Sequence, residues 1–539
     1  MTGIVPFRRT SAGRFDGRLL AGRNADGSGR FGLQEAPLET VAPEASRSDQ
    51  LAQSLLVGLL LAVPVFICLR GAHEWVADPD LGWHLRTAQW IVQHRAFPRV
   101  DPFSRITLGH PWQAYSWLFE LILLKAYNWL NLDGILVFVA AMMTLIAAVL
   151  YRMIARLQAD FTIRAVLVLA VIGSLEPLCT PRPWLFTIFF FLLEMDILMQ
   201  TRRDGSGRRL LLLPLLFVVW ANVHVQFLDG LIVLGAAACE PLLGRFWKLE
   251  TRCASVWALW GTLGACVVAT FLNPYGPAVY RSVWTLGSQE GVLNTVSEMQ
   301  AMPFRSLPDY LVLFLALAAA GVLFRYRRLP PFETLMLAMA AILSFRSQRD
   351  LWVMAITAGT ILAAGIPARA RSVAQVRFPL WAWASGAALS AAVMLASVLS
   401  LRVDNQHLQS LLAEKMPVQA VAVMKERHYS GPLFNPYNWG GFLIWDLQEP
   451  VSIDGRAGLY GDAALDRSRD TWSGKPEWAS DPALQSADVV IAPVDAPLTQ
   501  LLRVDGGFDP VYQDKIAVIF LRRKSGESVA SLNRTGAAR

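Results

Sequence analysis

The chain has 539 residues, 54% hydrophobic and only 17% charged, with a mean hydropathy of +0.38. Soluble domains carry about 25% charged residues. Here the apolar surplus gathers into about eleven runs of ~15–23 residues, each long enough as a helix to cross a hydrocarbon core of ~30 Å. A cytosolic enzyme, a secreted disulfide scaffold and a β-barrel, whose strands alternate apolar and polar, are excluded.

Residues 1–50 are rich in Gly, Arg and Ser and lack hydrophobic periodicity. They read as a disordered cytoplasmic arm rather than a cleaved signal peptide, because the first apolar run starts only near Leu51. Spanning helices are expected near 52–70, 132–151, 163–178, 183–200, 209–222, 227–243, 253–272, 309–324, 331–345, 350–366 and 378–400. Basic residues follow the same register. Arg152, Arg156, Arg164, Arg202, Arg203, Arg208, Arg209, Arg245, Lys248, Arg252, Arg325, Arg327, Arg328, Arg369, Arg371 and Arg377 fall in alternate loops, whereas Arg182, Arg281, Arg305, Arg346 and Arg349 fall in the intervening ones. By the positive-inside rule the N-terminus is cytoplasmic, and the loop 71–131 and the tail lie outside. The net charge of +7 is thereby a matter of topology, not a nucleic-acid footprint.

Residues 114–130 are apolar but short and contain Glu120 and Lys125. They read as a re-entrant or outer-leaflet helix. The five cysteines (Cys68, Cys179, Cys239, Cys253, Cys266) lack metal-ligand spacing and read as buried, inert thiols. From 401 to 539 the polarity is ordinary, and short strand-like runs (ADVVIAP, IAVIFLRR) between turn signals suggest a small extracytoplasmic α/β domain behind the transmembrane domain 51–400.

Polar and ionisable residues gather on the outer side. In the first outer loop Asp78-Pro79-Asp80 precedes a helix-like stretch, 81–94, suited to the membrane interface. A carboxylate at that depth serves either as a general base or as the N-cap of the helix. Arg182 (LCTPRPW), Asn222 and His224 (WANVHVQF), and Arg346 and Arg349 (FRSQRD) occupy helix junctions on the same face. Arg182 with Arg346 or Arg349 suits a phosphate clamp, and Glu120 joins these as a substrate-binding candidate. Ionisable residues within helices are few (Glu176, Glu194, Asp196, Asp229) and sit near helix ends. His73, His84, His94, His110 and His224 form no metal motif, and no Walker or GxSxG signature is present.

A single spanning helix followed by DPDLGWHLRTAQWIVQHRAFPRVDPFS and HPWQAYSWLFE resembles the start of the GT-C superfamily of integral-membrane glycosyltransferases, which includes protein mannosyltransferases and lipid A aminoarabinose transferases. PRPWLF, WANVHVQFLDG, LNPYG, NWGGFLIW, VSIDGRAGLYG and FDPVYQDKIAVIFLRR look like marks of a bacterial branch of that group. The resemblance implies a helical polytopic GT-C-like fold in a bacterial inner membrane. It also implies inverting transfer of a sugar from a polyprenyl-phosphate donor to a glycan, lipid or protein acceptor outside. Asp80 would be the catalytic base, with Asp78 second, and Arg182 a cavity cation facing the lipid phosphate. Many members carry adjacent acids where this chain has Asp-Pro-Asp followed by Leu81, which leaves divalent-metal dependence open. Competing readings are a transporter or flippase of a lipid-linked substrate, and a non-catalytic scaffold.

Overall fold

The computed structural model describes residues 46–246, 254–288, 296–325, 329–368, 379–401 and 403–523. Residues 1–45 of the arm, Cys253 and seven of the loop cations (Lys248, Arg252, Arg327, Arg328, Arg369, Arg371 and Arg377) lie outside the described residues. Each of the eleven apolar stretches is helical where described. The helices are α1 (Arg47–Arg70), α2 (Ala72–Trp75), α3 (Leu81–His94), α4 (Trp117–Leu130), α5 (Leu132–Leu157), α6 (Phe161–Ser174), α7 (Trp184–Asp204), α8 (Leu213–Val223), α9 (Phe227–Phe246), α10 (Val256–Ala269), α11 (Val279–Ser288), α12 (Leu307–Leu323), α13 (Pro331–Arg346), α14 (Leu351–Gly365) and α15 (Leu380–Leu401). Of these, α1, α5, α7, α9 and α15 are long and apolar enough to cross a membrane, and α6, α10 and α12 are shorter apolar helices.

Packing separates these helices by role. α14 is buried at every residue from Leu351 to Ala363, as expected of a helix that is apolar all round and sits in the middle of a bundle. α15 buries only Ala382, Gly386 and Ser390, one small residue per turn. That stripe meets α1, where a Cβ on Gly58 would lie 2.2 Å from the Gly386 carbonyl oxygen. Small residues at such a crossing let two backbones approach where lipid offers no hydrophobic drive.

α4 covers most of the segment 114–130. Its 14 residues reach about 21 Å, short of a ~30 Å core. The chain then reverses at Asn131, whose φ is 54°, straight into α5. Gly134 admits the reversal, because a Cβ there would strike the Ala126 carbonyl.

The thiol expectation is corrected at two positions. Cys68, near the end of α1, forms a disulfide with Cys179 across 111 residues, while Cys239 and Cys266 are free. Spacing in sequence could not show this pair, because only the helix packing brings the two together.

After α15 come α16 (Asn405–Lys415), α17 (Val418–Glu426) and α18 (Tyr437–Leu447), and the strands of a four-stranded sheet are interleaved with α18 and shorter helices. Its strands β1 (Leu433–Phe434), β2 (Val489–Pro493), β3 (Phe508–Gln513) and β4 (Ala517–Arg522) lie in the order β1-β2-β4-β3, with β1 and β2 parallel and the rest antiparallel. This tail is fastened to the segment between α3 and α4. Arg105 N–H donates to Val451 O at 2.8 Å, and Val451 N–H to Phe103 O at 3.0 Å. α18 crosses α3 with Gly441 against Pro79 and Gly82 against Gly441, contacts that no Cβ would permit. NWGG is thus a docking motif between tail and loop.

Candidate active site

Asp78 and Asp80 flank a proline at the mouth of α3, and Asp80 N–H donates to Asp78 Oδ1 at 2.8 Å. Asp80 stands at the N-cap of α3, yet its side chain makes no capping bond. It turns instead to Arg182. That arginine sits in the short loop before α7, between the Cys68–Cys179 bond and Trp184, whose indole donates to Leu178 O at 3.0 Å. Its Nε donates to Asp78 Oδ2 at 2.7 Å, its Nη1 donates to Asp80 Oδ2, and Glu298 Oε1 lies 3.7 Å from Nη1.

Three carboxylates therefore share one guanidinium in a poorly solvated place. Burial pushes the Asp80 carboxyl up to about 7; Arg182 opposes the rise, and Asp78 and Glu298 add to it. Burial, together with the field of Arg182, holds the neighbouring His84 neutral by lowering its pKa well below the usual imidazole range.

These residues border a cavity of about 960 Å³. Its wall includes Asp80, His84, Glu120, Arg182, Trp184, His224, Glu298 and Arg349 from the membrane domain and outer loops. Tyr437, Gly455 and Arg456 come from the tail. Trp184 carries a cation on either hand, with the Arg182 guanidinium 5.2 Å and that of Arg349 5.6 Å from the ring centre. Arg349 Nη2 donates to His224 Nε2 at 3.0 Å. Arginine only donates, so the His224 proton is on Nδ1, which donates to Thr187 Oγ1 at 2.8 Å. Arg349 has no carboxylate partner among the described residues, and its Nε is buried without a hydrogen bond. It leaves a cation at the cavity wall that no carboxylate of the described residues neutralises.

The tail closes the site through the IDGR turn. Gly455 lies so close to Asp80 that a Cβ would strike Asp80 Oδ1, and Tyr437 donates to Gly455 O at 3.0 Å. The turn is held rigid by Arg456, which bonds Asp454 through Nε at 2.8 Å and Nη2 at 2.7 Å. Its Nη1 reaches Asp101 of the first outer loop at 2.6 Å, and the guanidinium rests over Trp112 at 4.7 Å. All three charged residues are buried, so the network is a brace between tail and loop.

The structure brings Asp80, Arg182, His224, Arg349 and Glu120 to one cavity, with Asp78 behind Arg182. Two sequence candidates do not line this cavity. Asn222 is a strut: its Oδ1 accepts from Trp117 Nε1 at 2.8 Å, and its Nδ2 donates to Val218 O and Leu272 O. Arg346 is exposed on the last turn of α13, away from the cavity wall. Glu194 also departs from expectation. It lies midway along the 21 residues of α7, fully buried against Gly230, with neither carboxyl oxygen hydrogen-bonded. Of the five outer histidines only His84 and His224 line the cavity, and among the described residues no group of three or more His, Cys, Asp or Glu is disposed to hold a metal ion. Sequence reasoning missed Glu298, Trp184, Tyr437 and Gly455. The last three stand in motifs with a visible signal (PRPWLF, NPYNWGG, IDGR), whereas Glu298 has none.

No family model matches the chain, and no curated protein matches it in sequence. Among solved structures it is similar to the Archaeoglobus fulgidus oligosaccharyltransferase in the apo form, at TM-score 0.50 and 10% identity over 88% of this chain and 75% of that one. It is also similar to ArnT from Cupriavidus metallidurans bound to undecaprenyl phosphate, at TM-score 0.46 and 13% identity over 87% of this chain and 98% of that one. The apo state of the same ArnT gives TM-score 0.45 and 14% identity over 88% and 98%. The likeness to the archaeal oligosaccharyltransferase is one of fold.

Proposed function

We propose that this protein is an integral-membrane glycosyltransferase that moves a sugar from a polyprenyl-phosphate donor to an acceptor on the extracytoplasmic face of a bacterial inner membrane. The observation that carries the reading is a buried carboxylate, Asp80, held by Arg182 at the wall of a cavity that also contains the anion-ready Arg349. The GT-C fold agrees with it, as does the undecaprenyl phosphate bound to ArnT.

In the reaction the acceptor hydroxyl oxygen bonds to the anomeric carbon as the bond from that carbon to the phosphate oxygen breaks. The polyprenyl phosphate leaves with the electron pair, and the hydroxyl proton goes to Asp80. One base and one displacement invert the anomeric centre. Arg349 offsets the charge growing on the leaving phosphate, while Arg182 orients Asp80 and Asp78. A divalent ion at this cluster would be held by Asp78, Asp80 and Glu298, but Arg182 already pairs with or lies beside all three, so these residues as arranged do not fit one.

In proteoliposomes with radiolabelled polyprenyl-phosphate sugars and a membrane extract as acceptor, wild type is expected to transfer label. Asp80→Asn is expected to lose about 10²–10⁴-fold of the rate while remaining folded, and Asp78→Asn less. Equal activity in both variants and wild type overturns Asp80 as base.

A second reading, transport of a lipid-linked substrate, is favoured by Glu194, since an ionisable residue at mid-helix is costly in a membrane and usually functional. It is distinguished by lipid changing leaflet faster than in empty vesicles with no label transferred.

A further inference from the structure

The protein leaves two polar atoms at the cavity wall unsatisfied on the same helix turn. Ser116, the N-cap of α4, makes no capping bond, and its Oγ is buried without a partner. Four residues on, Glu120 has its Oε1 against His84 Nδ1 at 3.2 Å, while Oε2 is buried without a partner. Both side chains are about 1% exposed and both line the cavity. Spacing of four residues puts them on one face of the helix. Buried polar atoms in folded proteins are nearly always paired, so an orphaned pair in a cavity wall is a place prepared for something else.

We infer that the first turn of α4, through Ser116 and Glu120 with His84 as support, is the subsite that grips the hydroxyls of the transferred sugar. The inference rests on the glycosyltransferase reading and adds to it where the sugar sits. The chemistry selects a polyol. A serine hydroxyl both donates and accepts, and so does a sugar hydroxyl. Glu120 Oε2 accepts from such a hydroxyl when ionised and donates to it when protonated, so the match holds in either state. A phosphate fits poorly beside a carboxylate, and the cavity already offers it Arg349. The indole of Trp83, tilted by 33° against His84 with ring centres 3.7 Å apart, supplies an apolar wall for a sugar's C–H face. Sequence analysis identified Glu120 by its position in an apolar run; Ser116 had no signal at all.

The test compares binding of undecaprenyl phosphate with that of its glucosyl, mannosyl and arabinosyl esters to the full-length protein in nanodiscs, for wild type, Ser116→Ala, Glu120→Gln and Arg349→Ala. Wild type is expected to bind at least one ester more tightly than the bare lipid phosphate. Glu120→Gln is expected to weaken that ester about 10-fold, and Ser116→Ala about 3–10-fold, with the bare lipid phosphate unchanged. Arg349→Ala should weaken all four ligands alike. Thermal melting of each variant confirms the fold, and the near-isosteric Glu120→Gln guards against collapse. If Glu120→Gln weakens bare undecaprenyl phosphate as much as the ester, or if neither it nor Ser116→Ala weakens any ester, the sugar subsite is wrong. If wild type binds bare and esterified lipid equally, the subsite fails while the lipid-phosphate reading stands. Absence of binding to all four overturns both.

Discussion

Two arginines bracket α7, and each gathers buried acids. At the outer end Arg182 holds Asp78 and Asp80, with Glu298 nearby. In the last turn, about 30 Å away at 1.5 Å per residue, Arg202 holds Glu240 of α9 at 2.8 and 2.6 Å and Glu333 of α13 at 2.6 and 3.1 Å. The inner cluster is closed. Both carboxylates are bidentate, the guanidinium lies 4.6 Å over Phe332, and the neighbouring void is only about 10 Å³. It ties three helices together and leaves nothing for a ligand. The outer cluster has similar chemistry but is open. It borders a cavity of about 960 Å³ whose wall holds unpaired polar atoms on Arg349, Ser116 and Glu120. A buried ion pair alone is therefore weak evidence of a site. Unsatisfied groups beside free volume make the difference.

The sharpest way to break this comparison is to neutralise both arginines separately. Arg182→Gln is expected to cut transfer by 10²-fold or more, because it leaves the base unoriented among like charges (an order-of-magnitude figure). Arg202→Gln should instead cost about 3–5 kcal/mol of stability, the usual result of stranding a buried charge, with transfer per folded molecule unchanged. Melting temperature in detergent and rate per folded molecule separate the two. A slow but stable Arg202→Gln would erase the distinction.

The pH profile is the next test. Asp80 acts when ionised, and its pKa is raised to about 7, so the ionised fraction grows as pH climbs through that value. The transfer rate, measured from pH 5.5 to 8.5, is expected to rise with an inflection near 7 and to level off above it. A profile that is flat across that range would place the base in a wetter environment than this one, with its ordinary carboxylate titration below the range.

The smallest effect concerns Arg346, which the sequence left as an equal partner of Arg349. Exposed and outside the cavity, Arg346→Gln should leave donor affinity unchanged and shift stability by no more than about 0.5 kcal/mol. A clear loss of donor binding in an isothermal assay would return it to the site.

Much of the fold is legible in the chain. Hydrophobic run length marks the helices because each must bury its own backbone polar groups in lipid. The stretch 81–94 coincides with α3, since apolar contacts at helical spacing and an acidic start are local signals. Asp80, Arg182, His224 and Arg349 were readable because polar residues at helix ends on one face stand out against an apolar background. Asn222 and Arg346 carry the same signal without lining the cavity, and only their neighbours tell them apart.

Run length, charge asymmetry and the presence of a helix in each apolar run follow from interactions within a few residues, and the sequence by itself determined them; the bounds moved, with α1 starting at Arg47 and α5 running on to Leu157. Pairing across long separations belongs to the tertiary structure: Cys68 with Cys179, Arg182 with two acids about a hundred residues earlier, Gly455 beside Asp80, and Arg456 with Asp101. None has a local signature, because each exists only once the helices are packed and the tail has docked on the first outer loop. The same is true of what Ser116 and Glu120 lack. A missing partner is a property of the assembled wall, and no stretch of sequence records it.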